Sequence, residues 1–152
     1  MKSKITIAIA ILTLSIFLFG FRQEMNLVGA INNARARYGK CKEIENQALN
    51  EFAEARLAKL NSDNFYVFHT DREGFIKDCN NFKTNAGYTG NMGEIVARSE
   101  WLSYGHFFVS AWLKSRDHRA VMLNRQYRYM GYAVTAKDGY VFIVVEFMTE
   151  GT

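Results

Sequence analysis

The sequence predicts a single α+β domain, and three observations carry that prediction. Two amphipathic stretches of helical period follow residue 25, and two aromatic, β-branched runs joined by Asp138-Gly139 close the chain. The third is size: 152 residues, 49% hydrophobic with twelve Phe and eight Tyr, suffice for one core and not for two domains. The same composition excludes disorder as the general state.

The elements follow in order. From Met25 to Tyr38, apolar Leu27, Val28, Ile31, Ala34 and Tyr38 recur every three or four residues, with Gly39 as the stop. From Glu45 to Leu60, the positions Ala48, Leu49, Phe52, Ala53, Leu57 and Leu60 form a second apolar face, ended by the Asn61 to Asn64 turn residues. The middle, Phe65 to Gly93, is polar and rich in Asn and Gly, and reads as a long loop with a short helix around Phe75 to Phe82. Glu94 follows Gly93 just beyond it, in a glycine-bounded turn. A further helix runs from Ser103 or Phe107 to Lys114, and a shorter one from Asp117 to Asn124 with Asp117 as its cap. Trp112, Val109 and Leu113 belong to the core. The runs Tyr127 to Val134 and Tyr140 to Phe147 then form a hairpin, where Tyr127, Tyr129, Tyr132, Tyr140 and Phe142 pack across strands. The chain has no Pro, so Gly and Asn punctuate it.

Charge and targeting narrow the function classes. The net charge of +4 shrinks once Lys2, Lys4 and Arg22 are set aside, leaving 16 basic against 15 acidic side chains. That balance gives no basic footprint for nucleic acid. Residues 1–22 read as a signal peptide or N-terminal membrane anchor: Lys2 and Lys4 precede an apolar run over residues 5–21. The run sits at the lower limit for a spanning helix, and the positive-inside rule sends residues 23–152 across the membrane. An exported chain with two cysteines, Cys41 and Cys79, permits one disulfide. Its closed loop would contribute roughly 3 to 4 kcal/mol in the chain-entropy model.

Sequence motifs give no direct support for the common enzyme classes: H-E-x-x-H, a glycine-rich phosphate loop and G-x-S-x-G are all missing. Three histidines, His69, His106 and His118, and the carboxylate Glu94 remain as the chemistry-bearing groups. Spacing alone does not bring them together.

A set of motifs does. Asn32-x-x-Arg35-x-x-x-Gly39, Phe68-His69-Thr70, Gly93-Glu94-Ile95-Val96-Ala97, Trp112 through Arg119, Met122-Leu123-Asn124 and Gly131-Tyr132-Ala133-Val134 stand in one order. Over about residues 26 to 148 this resembles the CAP superfamily, the SCP-like extracellular domain of cysteine-rich secretory proteins, antigen 5 and pathogenesis-related proteins. It is similar to the bacterial branch, where His118 falls six residues after Trp112 and Gly131 nineteen after it. A second register, Gly105-His106 through Trp112, resembles the eukaryotic box and would make His106 the functional histidine, but Phe108 and Val109 replace its Thr and Gln. The chain departs from the family at Ile95, where Asn is usual, at Arg116-Asp117, where Pro-Gly precedes the His, and at Ser115, where eukaryotic members place a second Glu.

The resemblance implies an α-β-α sandwich, helices packed on a small antiparallel sheet, with His69, Glu94 and His118 converging in one cleft. Two imidazoles and a carboxylate could ligate Zn²⁺ or another divalent metal and leave a position for water. It further implies an exported binding or interaction module, whose partner is an extracellular protein, glycan or lipid. A metal-dependent hydrolase using the same three residues and a carrier of lipid or apolar ligands are the alternatives. Arg119 is expected to pair with an acid or with loop carbonyls, and a Cys41–Cys79 bridge would tie the cleft loop to the helical layer.

Overall fold

The computed structural model describes residues 26–61, 63–100 and 105–151. The leader, residues 1–22, lies outside them. Among the described residues no helix is long and apolar enough to cross a membrane.

The first two helices stand where periodicity puts them, α1 at Leu27–Arg37 and α2 at Gln47–Ala58. Between them a two-residue strand, β1 (Ile44–Glu45), adds a parallel edge to the sheet. The segment expected to be mostly loop is instead two helices, α3 (Phe65–Thr70) and α4 (Arg72–Ala86). Local chemistry sets the ends of α4, which extend beyond the short helix expected around Phe75 to Phe82. The Asp71 side chain caps it by accepting from the Gly74 backbone N–H at 2.9 Å, and Gly87 ends it at φ 72°. Phe75, Cys79, Phe82 and Ala86 recur along it every three or four residues, but only Cys79 is buried, and this thin stripe marks no more than the Phe75 to Phe82 part.

Strand β2 (Met92–Ser99) corrects a second expectation, since Glu94 lies inside a strand and not in a turn. Helices α5 (Gly105–Lys114) and α6 (Arg116–Met122) follow, and Ser115, not Asp117, is the cap residue of α6. Strands β3 (Tyr127–Lys137) and β4 (Tyr140–Thr149) complete the sheet. Asp138 and Gly139 turn between them with φ of 53° and 77°, the paired left-handed conformation of a two-residue hairpin.

The sheet order is β1-β3-β4-β2, antiparallel apart from the β1–β3 edge. Side chains alternate between its faces. One face packs Ile95, Tyr132, Ile143, Val145 and Phe147 against α1, α5 and α6 through Leu27, Ile31, Phe108, Trp112 and Met122. The other packs Val96, Ala133, Phe142 and Val144 against Ala53, Leu57 and Leu60 of α2 and its extension. The molecule is therefore the expected α-β-α sandwich. Trp112 is core, as expected, and its indole N–H also donates to the Val96 carbonyl of β2 at 3.2 Å, binding α5 to the edge strand.

Arg35 fastens the α1 side. Fully buried, it donates to the carbonyls of Cys41, Met122, Asn124 and Tyr127 at 2.8–3.3 Å, joining α1 to the following turn, the end of α6 and the start of β3. Glu43 lies 2.9 Å from Arg35 Nη1, but the N–H bonds point at the carbonyls and neither Glu43 oxygen receives a hydrogen bond. Burial consequently outweighs the attraction of Arg35 and pushes the Glu43 carboxyl up to about 8.

Candidate functional site

The site begins with a close approach of backbone to backbone. Gly131 of β3, Glu146 of β4 and Glu94 of β2 are successive partners across the sheet and share the face covered by α2. A Cβ at Gly131 would run into the backbone of Leu49 and Asn50, so glycine is what lets α2 lie this low. The Asn50 side-chain Oδ1 accepts from the Tyr132 backbone N–H at 2.9 Å and fixes the contact. Further along the same helix, Arg56 projects over the two glutamates.

Arg56 is 4% exposed and grips Glu94 with both ends of its fork, Nε to Oε2 at 2.8 Å and Nη2 to Oε1 at 2.9 Å. Its remaining terminal nitrogen, Nη1, donates to Asp78 of α4 at 2.7 Å, and Lys59 closes the chain onto the same carboxylate at 2.7 Å. Phe68 of α3 lies across the guanidinium, 4.2 Å from its carbon, with Phe75 at 5.3 Å. Burial works against the charge on Arg56, but the bonds and charge of Glu94 outweigh it and raise its pKa further. Burial likewise opposes the charge on Asp78, and its bonds from Lys59 and Arg56 hold it below the ordinary carboxylate range.

Glu146 is fully buried, and neither oxygen finds an N–H or O–H donor. Two carboxylates cannot bond each other unless one carries a proton. Burial first, and the neighbouring Glu94 second, push Glu146 well above the ordinary range, so the proton resides there and can be offered to Glu94.

The histidines meet at the adjoining end of the sandwich. His69 on α3 and His118 on α6 lie with ring planes 2° apart and centroids 5.0 Å apart. Ser115 Oγ is 2.7 Å from His118 Nδ1, and His118 Nε2 is buried without a partner. Burial, then the neighbouring His69, lowers the His118 pKa against the pull of Asp117. His118 is thus the histidine paired with His69. His106, by contrast, is on α5, where with Ala30, Ala34 and Arg37 it lines a cleft of ≈ 220 Å³ between α5 and α1.

The His69, Glu94 and His118 set does not fit a metal ion in this arrangement. Both Glu94 oxygens already face the Arg56 cation, and a divalent ion would have to share them with it. Among the described residues no group of three His, Cys, Asp or Glu is placed to hold a metal. The expected Cys41–Cys79 bridge is not formed either. Cys41 is exposed in the turn after α1, its carbonyl held by Arg35, whereas Cys79 is buried on α4 on the opposite face of the sheet. Burial, with the neighbouring Glu146 and Glu94 carboxyl groups, pushes the Cys79 thiol up to about 12, which removes the thiolate needed for exchange. Arg119 donates to the Leu113 carbonyl at 3.3 Å, in the last turn of α5 and not to the acid or loop carbonyls expected of it.

Sequence reasoning missed Arg56 and Glu146. Both were visible as charges inside apolar patterns: Arg56 falls four after Phe52 and three after Ala53 on the buried stripe of α2, and Glu146 interrupts the run Tyr140 to Phe147. A cation at a buried position calls for a carboxylate partner, which Glu94 supplies, and a buried glutamate without a partner calls for a raised pKa, as Glu146 has.

Comparisons agree with the fold. The sequence matches none of the curated proteins. Among solved structures it is similar to an outer surface protein of Borrelia burgdorferi, at 21% identity and a TM-score of 0.69, covering 85% of this chain and 94% of that one. A cysteine-rich secretory protein of Staphylococcus aureus aligns at 18% identity and a TM-score of 0.65, and an extracellular SCP-domain protein of Bacillus anthracis at 22% and 0.60. Each alignment covers 85% of this chain, but only 39% and 40% of those longer proteins. The model of the cysteine-rich secretory protein family, CAP, matches residues 28–147. The chain belongs to that family.

Proposed function

We propose that the protein is an exported CAP-domain binding module that recognises an extracellular protein, glycan or lipid, and not a metal-dependent hydrolase. The observation that carries this reading is the two-pronged grip of Arg56 on Glu94, which occupies the carboxylate that metal-assisted hydrolysis would require. The leader pattern over residues 1–22 and the outer-surface and extracellular relatives support export. The recognition face is α3, where Tyr66 and Val67 stand 70% and 69% exposed beside His69. Large apolar side chains left this open on a six-residue helix favour a contact surface over a reaction centre.

Two measurements test the proposal. Purified protein is incubated with ester and peptide substrates with and without Zn²⁺, beside His118→Ala, and binding of the labelled protein to intact cells of its source is compared with a Tyr66→Ser/Val67→Ser variant. No turnover above the His118→Ala background, together with surface binding lost in the double variant, is the expected result. Zinc-dependent turnover abolished by His118→Ala would overturn it.

A further inference from the structure

Helices α2 and α4 lie side by side and run in opposite directions. Asp78 receives Arg56 and Lys59 at 2.7 Å, and Phe82, one turn further along α4, meets Phe52, one turn before Arg56 on α2, with ring centroids 4.8 Å apart. Between the helices lies a cleft of ≈ 390 Å³. Phe52, 7% exposed, and half-buried Phe82 give it an apolar floor, and Ala48, Ala55 and Ala86 keep it open because their side chains end at Cβ. Asn81 and Asn85 line its α4 side, and among the described residues neither amide is hydrogen-bonded to the protein.

The spacing of these amides selects a ligand. Four residues of helix rise about 6 Å, and an extended chain turns the N–H and C=O of every second residue to the same side, a repeat of about 6.6 Å. An Asn amide carries an acceptor and two donors, so each can receive the N–H and serve the C=O of one ligand residue. Other ligands fit less well. A sugar would need an open ring face, but Phe52 is buried and Phe82 is packed on Phe52 and stacked with Tyr88, 5.6 Å away. A plain acyl chain would cover both amides without answering them.

We propose that the α2–α4 cleft binds an extended peptide segment, held along its backbone by the Asn81 and Asn85 amides with an apolar side chain over Phe52 and Phe82. The cleft runs from Asp78 to Ala86, about 12 Å of helix, which accommodates about three to four extended residues. Two side-chain amides here do what the free edge of a sheet does when a peptide adds to it as a strand. Tyr66 and Val67 do not line this cleft, so it stands apart from the recognition face of α3.

NMR of the ¹⁵N-labelled protein tests the proposal with an equimolar mixture of capped tetrapeptides built from Ala, Val and Leu. Controls are the same mixture N-methylated along its backbone, and chitotetraose. The peptides are expected to shift the side-chain amide signals of Asn81 and Asn85 at millimolar concentration, and the N-methylated mixture to leave them in place. The double variant Asn81→Ala/Asn85→Ala should bind the mixture about tenfold more weakly, read on the backbone signals of α2. Alanine is the better helix former at both exposed positions, so the variant keeps its fold. Tyr66→Ser/Val67→Ser should bind the peptides as the parent does, which separates this cleft from the α3 face. Unshifted Asn81 and Asn85 amides, unchanged affinity in the double alanine variant, or equal binding of the N-methylated mixture overturns the proposal. Shifts with chitotetraose and none with the peptides would overturn it in favour of a glycan, and loss of peptide binding in Tyr66→Ser/Val67→Ser would place the peptide on α3 instead.

Discussion

Replacing Arg56 by Lys keeps the charge and discards the fork. Arg56 makes three charge-assisted hydrogen bonds, at 2.7, 2.8 and 2.9 Å, to carboxylates on β2 and α4. A lysine ammonium at the same position reaches one of the two carboxylates and leaves the other without its partner. Each lost bond to a charged group is worth about 1.5–3 kcal/mol, and two lost bonds set a gross cost of about 3–6 kcal/mol. Protonation of the abandoned carboxylate and water entering beside Lys59 return part of this, so the net destabilisation is about 3 kcal/mol. For a domain of this size that corresponds to a fall in melting temperature of roughly 10 °C. Circular dichroism melts at pH 7, repeated in urea, provide the measurement. A variant melting within about 2 °C of the parent would refute the claim that the fork holds β2, α2 and α4 together.

Three further outcomes follow from other parts of the structure. Glu146 holds its proton more tightly in the folded than in the unfolded chain, so its contribution to stability is full below pH 4.5 and is lost as pH rises towards its folded value, at up to about 1.4 kcal/mol per pH unit. Glu146→Gln removes that loss, so its melting temperature should gain on the parent steadily above pH 4.5; Glu43 has the same sign but cancels in the difference, and a pH-independent gap would show that Glu146 is ionised. Gly131→Ala forces α2 off the sheet and should cost about 3 kcal/mol in urea unfolding, more than any surface alanine, whereas a neutral result would mean the helix lies higher than described. Alkylation of the native protein without reductant should modify Cys41 quickly and Cys79 only after unfolding, as read by mass; protection of both until reductant is added would restore the disulfide.

Where an element has an apolar stripe, the sequence located it: α1, α2, α5 and the β3–β4 hairpin bury most of the side chains whose spacing marked them, whereas Tyr38, at the end of the α1 stripe, is exposed. The motif order around Trp112 and His118 likewise placed His118, not His106, opposite His69. What escaped was held by other forces. Helix α4 was legible only over Phe75 to Phe82, because its stripe of Phe75, Cys79, Phe82 and Ala86 is thin and mostly unburied, and its ends are set by the Asp71 cap and the Gly87 stop. Strand β2 was hidden because Glu94 and Arg98 share the α2 face with Val96, which breaks the alternation that a half-buried strand normally shows. Arg56, Asp78 and Glu146 were illegible as a group because they come from positions as much as 90 apart, and only the low seat of α2 on Gly131 brings them over one carboxylate.

The central claim is that Arg56, and not a metal ion, is the cation of Glu94. Calorimetric titration of the protein with Zn²⁺ near neutral pH, beside Glu94→Gln and His118→Ala, tests it most directly. The account predicts no micromolar binding that depends on Glu94. Micromolar binding abolished by both substitutions would contradict it, because the ion would then have displaced the guanidinium and assembled the His69, Glu94 and His118 site after all.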